Sequence, residues 1–170
     1  ANHPKRRPVP HDWEMVPATH AALRGGEPVA LRMSDGVVLC GEWCRPKDPP
    51  RAVVVLSHAM MVDRRTLDRP AGKGLLSAFV SAGLAVLWID QRGHGQSQPG
   101  ASSGAQFDYD SLVFDVAALA AYVQHVEPQL PRIACGHSLF GHLALAWQAR
   151  SMTIPEAARF DGLVLLAANV

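Results

Sequence analysis

The sequence predicts an α/β fold, a mostly parallel sheet with helices on both faces. Three observations predict it. Residues 51–58, 84–90 and 162–168 are nearly continuous apolar runs without alternation, the pattern of strands buried on both faces of a parallel sheet. Helical stretches separate these runs, which is the βαβ rhythm that builds such a sheet. An Asp35-Gly36 turn near the start joins two strands as an antiparallel hairpin, giving the sheet a mixed edge.

Residues 1–26 read as a basic, proline-rich extension and 27–170 as the core domain. Prolines at 4, 8, 10 and 17 punctuate the extension, and Gly25-Gly26 closes it. Its Lys5-Arg6-Arg7 cluster reads as a solvated tail, and it lacks the apolar stretch of a secretory signal. Val29–Met33 and Val37–Trp43 are the hairpin strands. Pro46, Pro49 and Pro50 mark the loop before the first buried strand. A polar loop, Asp63 to Pro70, leads to a helix over Leu75–Ala82 that Gly83 stops, and the second buried strand follows. After a glycine-rich loop, 91–104, a long helix runs from Asp108 to about Val126. Its Leu112, Val116, Leu119, Ala120 and Val123 recur every three or four residues. Pro128 and Pro131 end it. Pro131–Cys135 is a short strand, Leu143–Arg150 a helix, and Gly162–Ala168 the last buried strand.

At 170 residues the chain supports one domain with a real core. A formal net charge of +1 gives no basic field for nucleic acid. The nearest approach to a membrane span, Ser77–Ile89, is too short and is interrupted by Gly83, so no stable membrane insertion is expected. The three cysteines, Cys40, Cys44 and Cys135, form no complete disulfide set, which favours a reducing, cytoplasmic setting. Cys40 and Cys44 have no partner pair at metal-ligand spacing, so no metal and no cofactor are expected. The sequence leaves the oligomeric state open.

The chain is organised around Cys135-Gly136-His137-Ser138-Leu139-Phe140-Gly141-His142. A strand precedes this stretch and a helix follows it. A serine at such a sharp turn is exposed as a nucleophile, and the helix N-terminus favours the negative charge that develops beside it. Acyl transfer also needs N–H donors aimed at the oxyanion. The Leu139 N–H is one candidate. The Met60 N–H, in the loop after the first buried strand, is the other.

Three motifs in order make residues 28–170 resemble the α/β-hydrolase superfamily. Ser57-His58-Ala59-Met60 is similar to the family's His-Gly-x loop. Asp90-Gln91-Arg92-Gly93-His94-Gly95-Gln96-Ser97 is similar to its Asp-x-Arg-Gly-x-Gly-x-Ser loop. Gly136-His137-Ser138-Leu139-Phe140-Gly141 is close to Gly-x-Ser-x-Gly. The resemblance implies an α/β-hydrolase fold whose C-terminal part is absent, with Ser138 as nucleophile. His58, Ala59, Gly136, His137 and Phe140 would shape the site. Ala59 stands where the family has glycine, a small change. Phe140 stands where the family has a small residue, and is expected to narrow the site.

The histidines invite several roles. His58 is expected to hold the oxyanion loop and His137 to support the turn. His94 reads as loop packing, with substrate contact as the alternative. His125 and His142 read as solvated or locally bonded. Asp90 and Arg92 are expected to brace their loop. Asp63, Arg64, Arg65, Asp68 and Arg69 read as a solvated, self-paired loop, with recognition of an acidic substrate as the minority reading.

In this fold the acid and the base follow the serine in chain order. After Ser138 the carboxylates are Glu156 and Asp161, neither at the right strand end, and the one histidine is His142. The base and acid are therefore expected beyond residue 170, and the chain reads as an inactive, poorly stable piece with an exposed apolar last strand. The resemblance then implies a serine hydrolase cleaving a carboxylic ester or related acyl bond of a small molecule. A non-catalytic binding protein of the same fold, or an acyltransferase using the same serine, are the alternatives.

Overall fold

A computed structural model describes residues 13–68, 74–97 and 108–167. Seven strands form one mixed sheet. They are β1 (Trp13–Val16), β2 (Glu27–Met33), β3 (Val38–Cys44), β4 (Val53–Ser57), β5 (Ala85–Ile89), β6 (Arg132–His137) and β7 (Gly162–Leu166). The helices are α1 (Leu75–Ser81), α2 (Tyr109–Val126) and α3 (Leu139–Ser151), with a 3-10 turn at Arg64–Leu67. The spatial order is β1-β2-β3-β5-β4-β6-β7. β1, β2 and β3 are antiparallel, β3 meets β5 antiparallel, and β5, β4, β6 and β7 run parallel.

The unalternating runs resolve into two cores. Along β4, Val53 and Val55 face one core with Ala85, Leu87 and Ile89 of β5, covered by α2 and α3. Val54 and Leu56 face the other, with Val86, Trp88 and Cys135, covered by Leu76 of α1 and by Leu67. Both faces of these strands are apolar because both are roofed, which is why period-2 alternation is missing from the sequence.

The sheet starts earlier than the sequence reading placed it. Trp13–Val16, assigned to the extension, pairs antiparallel with Ala30–Met33 as β1. Trp13 also packs edge-on against Tyr122 of α2, with ring centroids 5.1 Å apart. Residues 1–12, including the basic cluster, lie outside the described residues, as do Arg69, Pro70, the whole Ser/Gly stretch from Gln98 to Gly104, and Ala168.

The loop at 63–68 is another correction. Arg64 and Asp68 are buried, not solvated. The Arg64 guanidinium pairs with the Asp90 carboxylate and with Gln96 Oε1, and lies 5.2 Å from the Trp88 ring centroid. Asp68 takes Arg24 at 2.5 Å and the Ser77 hydroxyl at 2.9 Å. Among the described residues of this loop, Asp63 and Arg65 pair with each other as read. All three cysteines are free and buried, and burial pushes the Cys44 thiol up to about 12 and Cys135 up to about 11. Among the described residues no helix is long and apolar enough to cross a membrane.

Candidate active site

The chain runs from β4 to β5 on one side of β4, then to β6 on the other. This reversal opens a crevice beyond the C-terminal ends of β4 and β6, where open α/β sheets bind ligands. The register places Ser57 opposite Gly136. The loop beginning at His58 and the turn at Ser138 therefore leave neighbouring strands at the same rim, and the loop after β5 emerges beside them.

Ser138 is the N-cap of α3, with φ 51° and ψ −111°. A non-glycine residue in that region costs about 1–3 kcal/mol and persists only where its surroundings enforce it. Here they do. The Ser138 N–H donates to the Leu166 carbonyl at the end of β7 (2.8 Å), and its own carbonyl accepts the His142 N–H (3.1 Å). Gly136 makes the tight turn possible. A Cβ there would meet the backbone of Phe140 and Gly141, 2.7 Å from the Gly141 Cα. No described residue hydrogen-bonds the Ser138 hydroxyl. Leu139 opens α3, so its N–H has no acceptor within the helix.

Phe140 does not narrow this rim. Its ring is 1% exposed and belongs to the core, bordering a small internal cavity with Leu39, Ile89, Leu112, Val116 and Leu119. The backbone of residue 140 lies against Gly136 of β6, and its ring is accommodated in the core between α2 and the sheet.

The loop after β4 is held by hydrogen bonds. His58 is fully buried; its Nδ1 bonds the Ala59 carbonyl (2.7 Å) and its Nε2 accepts the Gln91 N–H (3.1 Å). The Gln91 side-chain amide donates back to the His58 carbonyl. Burial pushes the His58 imidazole below its ordinary value, against the opposing pull of the Ala59 carbonyl and the Asp90 charge. With Nε2 accepting the Gln91 N–H and Nδ1 facing the Ala59 carbonyl, the hydrogen bonds suit the neutral ring with its proton on Nδ1. Met60 and Met61 form the exposed tip, and Met61 has φ 65°. Among the described residues no acceptor takes the Met60 N–H. Ala59, half-buried, precedes it.

The loop after β5 is a charged scaffold. Asp90 accepts the Arg64 N–H (2.8 Å) and the Gln96 N–H (2.9 Å). A Cβ on Gly95, at φ 51°, would collide with the Asp90 carboxylate, which is why that position is glycine. Arg92 is buried, gripping Asp115 of α2 through two bonds of 2.6 Å and Asp35 of the hairpin turn through a third. Burial disfavours its charge, but these two carboxylates outweigh that and raise its pKa further. His94, also buried, bonds the Arg92 carbonyl through Nδ1 (2.9 Å) and takes the Met61 N–H on Nε2 (3.0 Å). The sequence reading of His94 as packing or substrate contact missed this tie, because its partner lies in another loop.

Three further described histidines have other side-chain surroundings. His137 is half-buried at the end of β6, in register with Leu166. His142 bonds the Tyr109 hydroxyl (3.0 Å), and His125 packs against Trp13. Among the described residues no group of three or more His, Cys, Asp or Glu side chains is arranged to hold a metal ion.

Comparison with known proteins agrees with this architecture. Over 115 residues the chain is 34% identical to a monoacylglycerol lipase of Mycolicibacterium smegmatis, covering 68% of this chain and 39% of that protein. It superposes on a thermostable carboxyl esterase from Bacillus coagulans with a TM-score of 0.63 at 24% identity, covering 82% of this chain and 43% of the esterase. A lipase solved in its open form gives a TM-score of 0.64 at 26% identity, with the same coverage of each chain. The chain thus spans about two-fifths of the length of these relatives. The family model described as Hydrolase_4, serine aminopeptidase S33, matches residues 48–170. By fold, by the loops gathered at one rim and by that match, the chain belongs to the Hydrolase_4 (serine aminopeptidase, S33) family of the α/β-hydrolase superfamily.

Proposed function

We propose that the protein cleaves carboxylic esters with Ser138 as nucleophile. The observation that carries the reading is the enforced backbone of Ser138, φ 51° between a strand and a helix N-terminus, with its hydroxyl bonded by none of the described residues. Strain of this kind clusters at active sites and ligand clamps. In the reading, Ser138 Oγ attacks the ester carbonyl as its proton passes to a base. The carbonyl π pair moves onto oxygen, and the Met60 and Leu139 N–H groups stabilise that oxyanion, a contribution of about 3–4 kcal/mol per donor. The carbonyl re-forms, the C–O bond to the alcohol breaks, and the base returns the proton to the departing alkoxide. Water then releases the acid from Ser138 by the same steps in reverse.

No imidazole among the described residues bonds Ser138 Oγ. The base and its orienting acid are assigned in this proposal to residues outside the described ones. Monoacylglycerol is the first substrate to test, since the Mycolicibacterium relative carries that name. The whole protein should release fatty acid from a monoacylglycerol, and Ser138→Ala should lower kcat about a thousandfold or more. Full activity in the alanine variant would overturn the reading. An acyltransferase is separated by adding an acceptor alcohol and looking for a new ester instead of free acid.

A further inference from the structure

We propose that His94 is a positioning residue for the oxyanion loop, acting with His58 to fix both peptide planes that flank Met60. The proposal rests on the serine-hydrolase reading and adds a role for a loop that the reading leaves unexplained.

The tip of the loop after β4 has little side-chain anchorage. Met60 is 49% exposed, Met61 88% and Val62 38%. Met61 nevertheless holds φ 65°, a conformation that favours glycine. Something other than side-chain burial fixes it, and the hydrogen bonds identify what. The peptide on the N-terminal side of Met60 comprises the Ala59 carbonyl and the Met60 N–H. His58 Nδ1 bonds that carbonyl at 2.7 Å. Because the peptide is planar and trans, fixing its C=O aims its N–H the opposite way. The peptide on the C-terminal side ends in the Met61 N–H, and His94 Nε2 accepts it at 3.0 Å. Both rotations that could swing the Met60 N–H are therefore restrained, each by a different imidazole.

The tie is reciprocal. His58, from the loop after β4, accepts the Gln91 N–H of the loop after β5; His94, from that second loop, accepts the Met61 N–H of the first. The two rings lie 5.3 Å apart. His94 is itself held by its bond to the Arg92 carbonyl, and Arg92 is clamped to Asp115 and Asp35. The oxyanion loop is thus braced through His94 against α2 and the hairpin turn. Preorganised donors need such bracing, because a donor that must reorient at the transition state contributes less to it.

The test compares His94→Phe, which removes the acceptor, with His94→Gln, which retains one, in the whole protein. His94→Phe is expected to lower kcat about tenfold to a hundredfold with KM changed less than about threefold, since a misaimed oxyanion donor is felt at the transition state. His94→Gln is expected to recover most of the loss. Amide exchange at Met61 should accelerate in His94→Phe and stay near wild type in His94→Gln. Equal losses of kcat in both variants, a change confined to KM, or unchanged Met61 exchange would overturn the proposal. If His94→Phe does not fold, His94→Asn, whose shorter amide leaves the acceptor out of reach, takes its place. If the wild-type protein cleaves no ester, the serine-hydrolase reading fails on its own, and Met61 exchange still decides whether His94 is the clamp.

Discussion

Gly136 of β6 and Gly141 of α3 meet backbone to backbone, so closely that a Cβ on Gly136 would stand 2.7 Å from the Gly141 Cα. This contact draws the N-terminus of α3 onto the strand and forces Ser138 into its strained turn. Gly136→Ala is expected to destabilise the fold by about 1–3 kcal/mol, the usual cost of overpacking a tight site. Urea denaturation measures it. An unchanged midpoint would mean that α3 can move away from β6 without loss.

Phe140 should behave as a core residue. Its ring fills space between α2 and β3–β5. Phe140→Ala is expected to cost about 3–5 kcal/mol in stability. The relative rates on short and long acyl esters should stay as in the wild type. A changed acyl-length preference at unchanged stability would return Phe140 to the rim.

The Arg92–Asp115 pair should show strong coupling. Both groups are buried, and burial pushes the Asp115 carboxyl up to about 6 against the opposing pull of Arg92. Arg92→Met alone is expected to cost about 3–5 kcal/mol, because it leaves a buried carboxyl without its partner. Replacing both, Arg92→Met with Asp115→Leu, should cost less than the single change. A double-mutant cycle reads this directly. Simple additivity would show that the two side chains contribute independently.

Acid should destabilise the protein through His58, in the loop after β4. Burial holds the folded His58 below its ordinary value, so on acidification the unfolded chain takes up this proton first. The stability contributed by neutral His58 is therefore complete above about pH 6.5 and is lost as pH falls through the folded value. Wild type should lose stability more steeply than His58→Asn between about pH 6.5 and pH 5, as followed by urea midpoints. Parallel slopes for the two proteins would place the acid sensitivity elsewhere.

The parts of the molecule visible in the sequence were those set by local pattern. β4, β5 and β7 announced themselves as apolar runs, the hairpin by Asp35-Gly36, and α2 by its spacing. The three loops at the rim were legible because each follows a recognisable strand. What escaped depended on distant partners. β1 is four residues beside Pro17, and it becomes a strand by pairing with β2 and through Trp13 packing on Tyr122. Arg64 looked solvated because its counter-charge, Asp90, lies 26 positions away. The identity of residue 140 was plain, but the direction of its ring is decided by the space beneath α2. His94 carried no local sign of its tie to Met61.

The most direct test of the account is the reaction of the whole protein with a fluorophosphonate probe, followed by mass mapping of the adduct. The account predicts a single adduct on Ser138, absent from Ser138→Ala and slowed in Gly136→Ala. A folded protein that stays unlabelled, or one labelled at a different serine, would contradict it.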